Sequence, residues 1–167
     1  LGGDAWGAHS AGLFEECGKA VLFRHASDHY RSMLRAAQSD VELCQLEHTG
    51  FGVSHDALGA ALCESWGLGT AAVASVRFHV QARDAVELPA PVGKRGILAL
   101  SLVARALMDA PAELEDVVTR VAPQAELDAT ALLRAALMAS CSSFSRCGLA
   151  HLLGASNPYH CVISKPL

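Results

Sequence analysis

Hydrophobic residues recur along most of this chain at the spacing of an α-helix. Between Ala11 and Phe23 they are separated by three or four residues, which places them on one helical face, although Gly18 interrupts the pattern. Alanine and leucine dominate and runs of β-branched residues are scarce, so the sequence predicts an all-α fold. The apolar positions of this first face are Leu13, Phe14, Cys17, Val21 and Leu22.

Start and stop signals divide the following sequence into further helices. Residues 49–52 predict a loop, and Gly67 suits the left-handed position after a helix end. Residues 87–93, which hold two prolines, predict a linker. Four polar residues are predicted to cap or start helices: Ser27, Asp40, Ser54 and Thr70.

The C-terminal part predicts one buried helix followed by acidic, amphipathic ones. Residues 96–109 are almost wholly apolar and should be buried. Beyond Pro111 carboxylates gather where a helix dipole favours them, and Asp128 is predicted to open a last long helix. Residues 141–167 are rich in serine, glycine and proline and predict a loosely packed tail with one helical turn at 149–153.

Composition and charge narrow the class of protein. The 167 residues are 51% hydrophobic and carry a formal net charge of -4. These values fit a compact domain with at most a small appendage, and they argue against a disordered tail. Binding to nucleic acid in general needs clustered lysine and arginine, so no such partner is predicted.

Targeting features are absent from the sequence. The longest apolar run, residues 97–108, contains Ser101 and Arg105 and falls short of the roughly 20 residues that cross a bilayer. No signal-peptide pattern is present, so we expect a cytoplasmic protein without a membrane partner. Because the chain starts at Leu1 rather than Met, we also expect a piece of a longer protein. The six cysteines contain no C-x-x-C pair and predict reduced thiols, most of them in the core.

Five short segments occur in an order and spacing that resemble a known family. They are AGLFEECGKAVL at residues 11–22, EHTGF at 47–51, GVSHDALGAAL at 52–62, WGL at 66–68 and VRFH at 76–79. Together they are similar to the HDOD family, the HD-related output domain of bacterial signalling proteins. The resemblance covers about residues 11–109. It implies an all-α, HD-like helical bundle over residues 1–109, its N-terminal part missing, and a C-terminal helical extension and tail over residues 110–167.

The resemblance also reaches the HD and HD-GYP phosphohydrolases, which are metal-dependent helical relatives of that family. In those relatives a metal-binding His-Asp doublet precedes the Gly-Lys pair, whereas Glu15 and Glu16 stand there in this chain. His55 matches the histidine of an H-P-x-x-G segment, and His79 matches the histidine that precedes the GYP region. Val80 replaces a second histidine, and no GYP follows. The resemblance therefore implies a vestigial HD-like pocket at Glu15, Glu16, His55 and His79.

These four residues have two interpretations. Carboxylate and imidazole groups can bind manganese, iron or zinc, and a helical bundle could bring them together. Neighbouring glutamates point about 100° apart on a helix, however, so at most three ligands are available. In the structural interpretation His55 lines a helix start and His79 packs beside Phe78 with one nitrogen hydrogen-bonded. Glu15 and Glu16 then form a solvated or ion-paired edge. We favour this structural interpretation and assign no catalytic residue, metal or cofactor.

Other polar or aromatic residues carry weaker signals. His25 and His29 share a helix face, but we expect them to be exposed to solvent. Residues 93–96 could hold an anion at a helix start or form a basic linker. Trp66 is expected to anchor the core.

Three functions follow from these patterns. We expect a non-catalytic regulatory domain that binds a protein partner, a fused sensor or receiver domain, or a nucleotide messenger. One alternative is a divergent metal-dependent phosphohydrolase that uses the four pocket residues. The other is a homo-oligomerisation module in which the acidic helices of residues 112–139 pack on another chain.

Overall fold

The computed structural model describes residues 4–139, and these residues form helices with no strand among them. The predicted all-α class is confirmed. The tail predicted for residues 141–167, with its turn at 149–153, lies outside the described residues. The helices are α1 (Ala5–Phe14), α2 (Cys17–His25), α3 (Ser27–Ala36), α4 (Asp40–Phe51), α5 (His55–Ser65), α6 (Thr70–Asp84), α7 (Arg95–Asp109) and α8 (Leu114–Val121), followed by a helix over residues 129–139.

The first predicted helix is in fact two helices. The pattern across residues 11–23 predicted one helix interrupted at Gly18, whereas α1 ends at Phe14 and α2 begins at Cys17. Glu15 and Glu16 form the turn between them. Gly18 lies inside α2 and is buried, because it is the point at which α2 touches α5.

The predicted boundaries of α4 were wrong at both ends. Ser39, not Asp40, caps this helix: its hydroxyl accepts a hydrogen bond from the Glu42 amide at 3.1 Å. The helix then continues through the predicted loop at residues 49–52 and ends at Gly52, whose φ of 75° lies in the left-handed region. The loop prediction gave too much weight to Gly50, which lies inside the helix.

The other predicted helix ends are mostly confirmed. Gly67 has the left-handed φ of 78° expected after α5. Asp128 caps the last helix, since its carboxylate accepts a hydrogen bond from the Ala131 amide at 2.7 Å. Ser54 precedes α5 but makes no capping bond, because its hydroxyl donates to the Asp56 carboxylate instead. Ser27 is already inside α3, and Ala26 holds the cap position.

The core is built around α6 and α7. Helix α6 packs against α1, α5 and α7, and α7 also contacts α8. The largest apolar cluster joins α6, α7, α8 and the helix over residues 129–139, with Leu98, Val118 and Leu132 buried in it. The predicted burial of residues 96–109 is confirmed for one face of α7, which includes Ile97, Leu98 and Leu102, whereas Met108 is 75% exposed. This cluster continues across residue 109, where the sequence suggested a division; that division stays a prediction.

Trp66 does not anchor the core, and this prediction was wrong. Its residue is 53% exposed, and its ring lies against the Phe14 ring at a centroid distance of 5.2 Å. The small buried residues Ala60 and Cys63 fill the contact between α5 and α6, so the indole at the end of α5 stays outside. Cys63, Cys17 and Cys44 are free, as predicted for the cysteines within the described range.

Among residues 4–139, no helix combines the length and hydropathy that a membrane span requires.

Candidate functional site

Three of the four predicted pocket residues meet at the centre of the fold. Glu16 comes from the turn between α1 and α2, His55 is the first residue of α5, and His79 lies in α6. One carboxylate oxygen of Glu16 and one ring nitrogen of each histidine lie within 4.8 Å of one another. Both imidazoles are buried, with ring centroids 5.5 Å apart. We call Glu16, His55 and His79 the histidine pocket.

A close contact between two glycines makes this arrangement possible. A Cβ atom at Gly18 would lie 2.0 Å from the carbonyl oxygen of His55 and 3.0 Å from the amide nitrogen of Gly59. Side chains larger than hydrogen therefore do not fit between α2 and the start of α5. Because the two helices touch here, Glu16 is brought close to His55.

Glu15 does not join the pocket. Its carboxylate accepts a hydrogen bond from the Ser101 hydroxyl on α7, and an Arg105 nitrogen lies 3.7 Å away. Glu15 therefore belongs to the contact between α1 and α7. The two glutamates diverge because they lie in the turn between α1 and α2, not on one helix as the sequence suggested.

Glu47 orients His55 and was not singled out from the sequence. This buried carboxylate accepts hydrogen bonds from the Tyr30 hydroxyl at 2.5 Å, the His55 amide at 2.7 Å and His55 Nδ1 at 2.7 Å. Burial by itself would raise the pKa of Glu47, but the hydrogen bonds from His55 and Tyr30 lower it overall. Glu47 is therefore ionised and accepts the hydrogen bond that His55 Nδ1 donates, while His55 Nε2 lies 3.9 Å from Glu16.

His79 is oriented by its own helix. Its Nδ1 lies 2.7 Å from the Val76 carbonyl oxygen and donates a hydrogen bond to it, while Nε2 lies 3.8 Å from Glu16. Burial acts to lower the pKa of His79, but the Glu16 carboxylate and the Val76 carbonyl outweigh it and raise the pKa overall. Within residues 4–139, neither His55 Nε2 nor His79 Nε2 has a hydrogen-bond partner.

Cationic side chains surround the carboxylate of Glu16. Lys19 Nζ lies 3.0 Å from it, Arg83 Nη2 3.5 Å and Arg105 Nη2 3.7 Å. Burial alone would raise the pKa of Glu16, but His79 and Lys19 hold it well below the usual range. The pocket thus holds an anion that cations of the same chain already balance.

Asp40 ties two of these cations to α4. Lys19 Nζ lies 2.9 Å from its carboxylate, and Arg83 Nη1 contacts the other oxygen. The two ion pairs link α2, α4 and α6 around the histidine pocket. They therefore fix where the cations lie relative to Glu16.

One segment of the chain matches a known protein family. Residues 3–82 match the family model of the HDOD domain. The chain carries an HDOD domain. The match begins before residue 11 and ends before residue 109, so it is placed further towards the N-terminus than the short segments suggested. No curated protein and no solved structure matches the chain.

The HDOD domain includes all three residues of the histidine pocket. By its resemblance to the HD phosphohydrolases, the sequence around Glu16 implies that this residue replaces part of their metal-binding doublet. Two imidazole nitrogens and one carboxylate are a ligand set that suits zinc or iron. The three groups could therefore hold one metal ion, but only against the charges of Lys19 and Arg83.

A second group of possible metal ligands lies on the far side of His55. Cys44, Glu47 and His55 offer atoms within 4.8 Å of one another. Glu47 and His55 are already hydrogen-bonded to each other, and burial and the Asp56 carboxylate raise the pKa of Cys44 to about 12. A protonated thiol is a poor ligand, so this group is the weaker candidate.

Most of the residues around the histidine pocket were not predicted from the sequence. Glu47 gave a signal, because it lies one helical turn after Leu43 on the buried face of α4, where a carboxylate needs partners. Asp40, Arg83 and Arg105 gave none, since they are far from Glu16 in sequence. Lys19 lies only three residues after Glu16, but it was not singled out.

Two weaker sequence candidates have other roles. His25 ends α2 and His29 lies in α3, so the prediction that they share one helix face was wrong. Both are exposed, as expected, and their rings lie beside Phe51. Arg95, from the basic row at residues 93–96, donates to the Ala90 carbonyl at 2.8 Å and pairs with Glu87 at 3.0 Å. This arginine therefore holds the linker before α7.

Proposed function

We propose that this HDOD domain is a non-catalytic regulatory module of bacterial signal transduction that acts in the cytoplasm. It would bind a protein partner, a fused sensor or receiver domain, or a nucleotide messenger. The observation that carries the proposal is the ring of cations around Glu16. Where catalytic HD relatives present metal ligands, this domain presents a carboxylate paired with Lys19, Arg83 and Arg105.

The charge arrangement opposes the binding of a divalent ion. A metal at the histidine pocket would lie close to the Lys19 ammonium and the Arg83 guanidinium. Two unit charges 4 Å apart interact by about 4 kcal/mol at an effective dielectric constant of 20, and a divalent ion doubles that repulsion. A single carboxylate that is shared with these cations offsets only part of it.

The first experiment measures the metal content of the full chain purified without chelator. The variants are a His55→Ala/His79→Ala double substitution in the pocket and, as a matched control, His25→Ala/His29→Ala at two exposed histidines. We expect far less than one metal ion per chain in all three proteins. Near-stoichiometric metal that only the pocket variant loses would contradict the proposal.

A second measurement follows nucleotide messengers during incubation with the purified chain. A regulatory module should not convert a messenger into a product, whether or not it binds that messenger. Hydrolysis of a cyclic dinucleotide or other nucleotide that His55→Ala abolishes would overturn the non-catalytic role. Hydrolysis that persists in His55→Ala would point to a contaminating enzyme.

A divergent phosphohydrolase is the second candidate, and one observation favours it. His55 Nε2 and His79 Nε2 are buried, have no hydrogen-bond partner among the described residues and face the same carboxylate. Glu47 and the Val76 carbonyl fix the opposite ring nitrogens, as the supporting groups of metal-binding histidines do. When bound there, a metal ion would supply a water acidified for attack on phosphorus.

The two candidates differ in what they predict for the surrounding cations. If Lys19 and Arg83 oppose metal binding, a Lys19→Gln/Arg83→Gln variant should bind Zn²⁺ or Mn²⁺ more tightly than the wild type. If the pocket is already a metal site, the wild type should bind metal and Glu16→Ala should release it. Calorimetric titration of the metal into all three proteins separates these results.

The acidic helices of residues 112–139 use much of their apolar surface within the chain. Leu114, Val118 and Val121 are buried against α7, and Leu132 lies in the same cluster. These buried residues are therefore not available to the homo-oligomer interface that the sequence suggested for these helices.

A further inference from the structure

A cavity of about 200 Å³ lies where α6, α7 and α8 meet. Each of the three helices contributes one arginine to its wall: Arg83 from α6, Arg105 from α7 and Arg120 from α8. Leu102 and Val117 supply apolar lining. We call this space the arginine cavity.

The guanidinium groups of the arginine cavity have donors that no acceptor in the described part of the chain uses. Arg83 Nη1 contacts Asp40 and Nη2 lies 3.5 Å from Glu16, yet Arg83 Nε and Nη2 are buried without a hydrogen-bond acceptor. Buried donors without acceptors are costly, so a ligand acceptor that reached Arg83 from the cavity would be bound favourably.

The other two arginines are also only partly satisfied. Arg105 Nη1 lies 3.3 Å from Asp109, and Arg105 Nη2 comes no closer than 3.7 Å to Glu15 and Glu16. Arg120 donates one hydrogen bond, at 2.6 Å, to the Ala85 carbonyl. Each guanidinium has five N–H donors, so both retain donors for a further acceptor.

We propose that the arginine cavity binds the phosphate group of a small anionic ligand. Guanidinium groups bind phosphate oxygens through paired, charge-assisted hydrogen bonds, and three helices here direct such groups to one space. The cavity is smaller than the roughly 300 Å³ at which pockets for whole drug-sized ligands begin. It therefore holds the phosphate group, and the rest of the ligand lies outside it.

Two acidic residues also line the cavity and set the expected affinity. Asp109 and Glu113 are exposed, and Asp109 pairs with Arg105. Their charges oppose an anion, so Asp109 competes with phosphate for the same guanidinium. Removal of the Asp109 charge should therefore strengthen phosphate binding.

The repulsion between two of the arginines agrees with the same interpretation. Burial, and then the charge of Arg105, lower the pKa of Arg83. An anion between these two groups would relieve the repulsion. The inference names a ligand class for the messenger binding proposed above and rests on that function, but the site itself is tested without a catalytic assay.

The experiment titrates the full chain with inorganic phosphate and, separately, with a nucleoside monophosphate, by calorimetry at constant ionic strength. We expect saturable binding of at least one of the two. Arg105→Gln and Arg120→Gln should each weaken it about tenfold or more, and Asp109→Asn should strengthen it. The matched control is Arg77→Gln, which removes a half-exposed arginine outside the cavity and should leave the affinity unchanged.

Three results would overturn the proposal. They are the absence of saturable binding up to about 10 mM of either ligand, equal weakening by Arg77→Gln and by the cavity variants, and weaker binding in Asp109→Asn. Circular dichroism of each variant shows whether it is folded. Conversion of the nucleotide during the titration would contradict the non-catalytic role while leaving the phosphate site in place, so the two failures are distinguishable.

Discussion

Replacement of Gly18 by alanine should destabilise the domain, although alanine is the better helix former. Gly18 lies in α2, where alanine would favour the helix by about 1 kcal/mol relative to glycine. Its Cβ atom, however, would lie 2.0 Å from the carbonyl oxygen of His55 and 2.8 Å from the carbonyl carbon. Both are backbone atoms at the start of α5, so no side-chain rotation relieves the clash.

The size of the effect follows from these contacts. The two helices must separate by about 1 Å before the closest contact reaches even 3.0 Å. Overpacking of this kind costs about 1–3 kcal/mol. Displacement of His55 also strains the hydrogen bond from its amide to Glu47, and an unsatisfied buried donor costs about 1–3 kcal/mol. After the helix preference is subtracted, the free energy of unfolding should fall by about 1–5 kcal/mol.

Urea unfolding followed by far-ultraviolet circular dichroism measures this change. The matched control is Gly12→Ala on α1, where the added Cβ meets no atom within 4 Å. That variant should be stabilised by about 0.5–1 kcal/mol, since only the helix preference acts. A Gly18→Ala protein as stable as the wild type, or as stable as Gly12→Ala, would refute the close contact between α2 and α5 and with it the position of Glu16 over His55.

Three further predictions concern the buried polar groups and the tryptophans. In urea unfolding, Glu47→Gln should lower the free energy of unfolding by about 1–3 kcal/mol, because several buried donors lose their anionic acceptor. Tyr30→Phe removes only one of these donors and should lower it by about 1 kcal/mol. Equal effects of the two variants would contradict this account. The pKa of His79 is raised on folding, so its contribution to stability is complete below pH 6.5 and is lost as the pH rises through its folded-state pKa. Melting temperatures between pH 6 and 9 should show this loss in the wild type, and His79→Gln should lack it. Trp6 and Trp66 are 77% and 53% exposed, so iodide should quench most of the fluorescence of the folded protein; weak quenching would show that another surface covers them.

The fold class could be predicted because local patterns carry it. Helical periodicity, glycine after a helix end and a capping aspartate act over a few residues, which is why Gly67 and Asp128 were placed correctly. The start of α4 was missed because two neighbouring residues, Ser39 and Asp40, both suit a cap position. Asp40 instead turns to Lys19, a residue of another helix.

The candidate site could be predicted only in part. The short family segments pointed to Glu16, His55 and His79, and the structure brings these three together. They also pointed to Glu15, which faces Ser101 on α7. The direction of each glutamate depends on the turn between α1 and α2, and the sequence pattern placed no turn there.

What the sequence determined by itself is the all-α class, most of the helices, the buried face of α7 and the ligand types available to the pocket. These depend on periodicity and on side-chain chemistry, both of which are local. Only the tertiary structure decided that Lys19, Arg83 and Arg105 surround Glu16, and that three arginines share one cavity. The physical reason is that charges interact through space over a few ångströms, whereas Arg83 and Arg105 lie tens of positions from Glu16 along the chain.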